Sequence, residues 1–71
     1  MSKLNAKMIM IRVGAANIKA WAEQITETIN EDFDGFDDLQ TIEILMDRIV
    51  DESTATKKEI LEAYDELEED M

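Results

Sequence analysis

The chain has no cysteine, no histidine and no proline, and only two glycines and four aromatic residues in 71 positions. Without cysteine there is neither a disulfide framework nor a thiolate metal site, and redox chemistry gives no sign of compartment. With no histidine either, and with Ser2 and Ser53 the only serines, the usual residues cannot pair a nucleophile with an adjacent base. Enzyme activity is therefore not expected, and no cofactor is implied. Basic residues are also scarce: seven Lys and Arg stand against eighteen Asp and Glu, for a net charge of −11. Long apolar runs are missing too. The cluster Met8–Ile11 is interrupted by Arg12, far short of the roughly 20 apolar residues that a membrane span needs. The expectation is a mature, soluble sequence in the cytoplasm, or in the host cytoplasm if a phage encodes it.

What is present favours packed helices. Hydrophobic residues make up 45% of the chain, and Ala, Ile, Leu, Glu and Lys are abundant. A single small domain of this length buries only about 60% of its unfolded surface, so oligomerisation or a partner would help it. Charge divides unevenly along the sequence. Residues 1–29 carry four bases and two acids, whereas residues 30–71 carry sixteen acids and three bases. A net of −13 in the second part argues against nucleic acid as a direct ligand, because phosphate contacts need Lys and Arg. It favours a basic protein partner.

The strongest periodic signal is in the first part. Leu4, Met8, Ile11, Ala15, Ile18, Ala22, Ile25 and Ile29 alternate spacings of four and three, which predicts a heptad helix over about residues 2–31. Ile9, Val13, Ala16 and Ala20 form a second stripe some 140° away, and their small side chains suit the interface of a homodimer. Gly35 can then adopt a left-handed turn within an acidic segment over 32–36. A second helix is predicted over about 37–52, with Leu39, Ile42, Leu45, Met46, Ile49 and Val50 inward and Ile44 off that face. The stretch 51–56 breaks the pattern, and Thr56 with Glu59 reads as a capping box opening a third helix over about 57–69. Its inward residues would be Ile60, Leu61, Tyr64 and Leu67, while Trp21 and Tyr64 suit the core or an interface edge. The fold expected is all-α, three helices: a long N-terminal heptad helix packed by a shorter antiparallel helical hairpin, and dimerising.

The segment Asn30–Asp38 concentrates five carboxylates in nine residues. Placed as an EF-hand loop with Gly35 at the sixth position, it offers Asn30, Asp32 and Asp34 as ligands. Thr41 then stands where the bidentate glutamate belongs, so no metal site is expected. The adjoining Asp38–Met46 resembles the acidic second helix of an acyl carrier protein. That family carries phosphopantetheine on a serine where this chain has Asp38, so the resemblance implies a surface read by a basic groove, without the prosthetic group. Carboxylates along helices can also mimic the phosphate array of a nucleic acid and occupy the groove of a protein that binds one. On that reading Asp32, Phe33, Asp34, Phe36, Asp37, Asp38, Glu43 and Asp47 form the partner-binding surface, with the two phenylalanines as apolar anchors. In size, charge and lack of catalytic residues the chain is similar to phage-encoded inhibitors of host enzymes. The competing expectation is a homo-oligomeric structural or assembly protein that works through the first helix, with charge serving solubility.

Overall fold

The computed structural model describes residues 3–30 and 35–69. It contains two helices, α1 (Lys3–Asn30, 28 residues) and α2 (Phe36–Glu69, 34 residues), packed side by side as an antiparallel hairpin. The chain is all-α, but α2 replaces the two shorter helices expected over 37–52 and 57–69. Residues 51–56 contain neither glycine nor proline, so nothing there stops a helix. Thr54 donates its hydroxyl to the Val50 carbonyl at 3.0 Å, which satisfies that side chain within the helix. Thr56 is not a cap: it is buried between the helices. Residues 31–34, and with them Asp32, Phe33 and Asp34 and most of the acidic turn, lie outside the described residues.

Heptads govern both helices. On α1 the buried and half-buried positions include Leu4, Lys7, Ile11, Gly14, Ile18, Trp21, Ile25 and Thr28. On α2 they include Ile42, Leu45, Ile49, Glu52, Thr56, Glu59, Ala63 and Glu66. Both sets alternate spacings of three and four, the pattern of two helices that stay in contact along their length. The α1 seam is therefore rotated from the expected one. Leu4, Ile11, Ile18 and Ile25 belong to it, but Lys7, Gly14, Trp21 and Thr28 replace Met8, Ala15, Ala22 and Ile29. The rotation brings Trp21 toward α2, and an indole gains more from partial burial than an alanine does. The inward set on α2 also differs from expectation: Leu39, Met46, Val50, Ile60, Leu61, Tyr64 and Leu67 are all exposed.

The seam is apolar at one end and polar at the other. Ile25 and Leu45 are buried toward the turn, whereas Thr56, Glu59, Ala63 and Glu66 line α2 toward the chain ends. In the polar half, close approach replaces bulk. A Cβ built on Gly14 would lie 2.0 Å from Thr56 Oγ1 and 3.1 Å from its Cβ, so the glycine is what lets Thr56 seat against α1.

Gly35 starts α2. Its φ is +58°, and its carbonyl accepts the Leu39 N–H at 3.0 Å. No atom lies within 4 Å of a Cβ built there, so substitution would meet backbone strain alone. We expect Gly35→Ala to cost about 1–2 kcal/mol, lowering the thermal midpoint by roughly 5–10 °C; circular dichroism melting measures it.

Candidate functional site

The two helices carry opposite charge. α1 bears four bases and two acids, while α2 bears twelve acids and three bases, for net charges of +2 and −9. Some of the α2 acids are absorbed by the seam. Glu52, Glu59 and Glu66 are half-buried there, and Lys7 Nζ meets Glu62 Oε2 at 2.5 Å and Glu59 Oε2 at 3.0 Å. The hydrogen bond to Glu62, then the one to Glu59, raises the Lys7 ammonium above its ordinary range, and the same bond from Lys7 lowers the Glu62 carboxyl. The pair's contribution is then complete at neutral pH. It is lost as pH falls through the lowered Glu62 value, and at the alkaline end only as pH rises through the raised Lys7 value. The difference in thermal midpoint between the parent chain and Lys7→Met should accordingly shrink as pH falls below the ordinary carboxylate range. A difference unchanged to pH 2 would mean that packing, not the ion pair, sets it.

Other acids of α2 point outward. Asp47, Asp51, Asp65 and Glu68 are exposed and lie along the side of α2 away from α1, spanning about 32 Å at the rise of an α-helix. Asp37 and Asp38 occupy the first turn of α2, where the helix dipole favours negative charge. Asp38 is half-buried at the head of the seam.

The surface expected from the sequence is thus divided by the fold. Phe36 stands 74% exposed at the start of α2, beside an open depression that it lines with Leu39, Gln40 and Glu43. Helical phase sets Asp37 about 120° from Glu43, whereas Asp47, four residues beyond Glu43, shares its side. The expected dimer stripe, Ile9, Val13, Ala16 and Ala20, faces away from α2 and is exposed throughout.

Sequence reasoning missed a second feature. Many of the positions one residue after a seam position are apolar: Met8, Ala15, Ala22 and Ile29 on α1, and Leu39, Met46, Val50, Ile60, Tyr64 and Leu67 on α2. In an antiparallel pair with these seams, both sets fall on one side of the hairpin, because the reversal of α2 also reverses its sense of rotation. Every one of these residues larger than alanine is at least 37% exposed. Recognisable as heptads in the sequence, they pass there for the core itself.

Among the described residues no helix is long and apolar enough to cross a membrane, and no cluster of three or more candidate ligands could hold a metal ion. No protein-family model, curated protein or solved structure matches the chain.

Proposed function

We propose that this chain is a non-catalytic binding protein that presents the acidic outer side of α2 to a basic partner protein, one whose groove is built to hold nucleic acid. The observation that carries this reading is the segregation of charge between helices: +2 on α1 and −9 on α2. A surface acidified only for solubility has no need to gather most of its carboxylates on one helix. Asp47, Asp51, Asp65 and Glu68 offer charge at intervals along a rigid rod, the arrangement that a Lys and Arg groove accepts in place of phosphates. Phe36, bare at the head of the same helix, supplies an apolar anchor beside it.

The apolar flank favours a second reading, an assembly protein whose hairpin packs into a larger helical body. The two are separable by affinity capture from the native host, with the full chain as bait. Under the acidic reading, a bait carrying Asp47→Asn, Asp51→Asn, Asp65→Asn and Glu68→Gln loses basic proteins that the parent retains, and high salt releases them from the parent. Identical captures by the two baits would remove the acidic reading and leave assembly.

A further inference from the structure

We propose that the apolar flank of the hairpin is covered by a second copy of this chain, giving a four-helix body of two hairpins packed flank to flank. The flank is built from Met8 and Ile29 on α1 and Leu39, Met46, Ile60 and Leu67 on α2, each between 37% and 57% exposed. These residues continue the two seams sideways, and a helix whose apolar stripe is wider than a two-helix seam is one that packs on two neighbours at once.

Area supports the same occupant. The chain exposes 5601 Å², whereas a compact 8.2 kDa chain exposes about 4500 Å². The hairpin measures 54 × 15 × 14 Å; its flank therefore has a footprint on the order of 800 Å², the area each partner contributes to a standard stable interface. Among the described residues only Ile25, Leu45 and Ala63 are buried and apolar, a core too thin for a free-standing domain.

Charge selects a like chain over a basic partner. The flank and its rim carry Arg12, Lys19, Lys57 and Glu43, a net of +2 in a chain of −11. It offers a basic groove a single carboxylate, Glu43, beside three cations. Two copies that repel through −11 each can approach with least cost on the one side from which nearly all acids are absent. Such a dimer leaves both acidic α2 edges outside, so the proposal does not depend on the acidic reading. It also differs from pairing through Ile9, Val13, Ala16 and Ala20, which lie on other sides of α1.

Equilibrium sedimentation of the full chain tests it. The parent is expected at twice 8.2 kDa at micromolar concentration. Met46→Glu sets a charge into both halves of the interface and should raise the dissociation constant at least about a hundredfold, giving the single-chain mass. Val13→Glu should keep the double mass. A parent at single-chain mass at high micromolar concentration, a mass above two chains, or dissociation by Val13→Glu but not Met46→Glu would each overturn the proposal. Should Met46→Glu not fold, the cysteine-free background allows a gentler reading. The maleimide reactivity of Met46→Cys should fall as protein concentration rises, whereas that of Val13→Cys should not; parallel behaviour of the two overturns it.

Discussion

Replacing Gly14 with alanine is expected to destabilise the hairpin by about 1–3 kcal/mol, a loss of roughly 10 °C in thermal midpoint for a chain of this size. Helix propensity alone points the other way, since alanine in a helix interior is favoured over glycine by about 1 kcal/mol. The clash decides the sign. All three side-chain atoms of Thr56 stand within 3.2 Å of where the new Cβ would sit, and a β-branched side chain cannot turn aside without exchanging one collision for another. The helices would have to separate along the polar half of the seam, where little apolar packing holds them. Thr56→Ala should reverse the result, because removing Oγ1 and Cγ2 leaves only the 3.1 Å contact with Cβ, which a shift of a few tenths of an ångström relieves. In that background the Gly14→Ala change should be neutral or stabilising. A stabilising Gly14→Ala in the parent chain would mean that Gly14 and Thr56 do not meet, and that the two helices pair in another register.

The second large effect is expected at the other end of the seam. Leu45 is the most deeply buried apolar residue described, at 4% exposure, and Leu45→Ala should cost about 2–5 kcal/mol. Set against a total stability of about 4–10 kcal/mol for a chain of this length, that is a large share, and urea unfolding should show the midpoint shifted far down or the native baseline lost. Leu61→Ala provides the contrast. Leu61 is 55% exposed, on the side of α2 away from α1, and its truncation should change stability by no more than about 0.5 kcal/mol. Equal costs at the two sites would contradict the continuous α2 and its seam.

That contrast also marks where the sequence was legible. Helical character, including a helix through the described residues 3–30, the left-handed Gly35 and the outward Ile44 all follow from local pattern, because spacing, turn chemistry and side-chain type act within a few residues. Which of two adjacent apolar heptad positions becomes the seam does not. Met8, Ala15, Ala22 and Ile29 look more like a core than Lys7, Gly14, Trp21 and Thr28. What decides is the opposite helix: Thr56 needs the space at Gly14, and Glu59 and Glu62 meet Lys7. The same holds for the third helix that does not exist. Thr56 and Glu59 have the spacing of a capping box, but their side chains are engaged across the hairpin, and a seam running unbroken through 51–56 outweighs the modest helix propensity of Ser and Thr there. At the candidate site, the sign of the charge and its concentration in the second part of the chain were readable directly. Its division among the seam, the outer side of α2 and the apolar flank required the pairing of two helices.

The claim that the outer carboxylates of α2 are there to be recognised is tested most directly by the salt dependence of binding to a captured partner. For the parent chain, Kd should rise at least about tenfold between about 50 and 300 mM salt, and the variant with Asp47, Asp51, Asp65 and Glu68 converted to their amides should bind more weakly at low salt, with a shallower dependence. A partner held equally by both chains, with an affinity indifferent to salt, would contradict it.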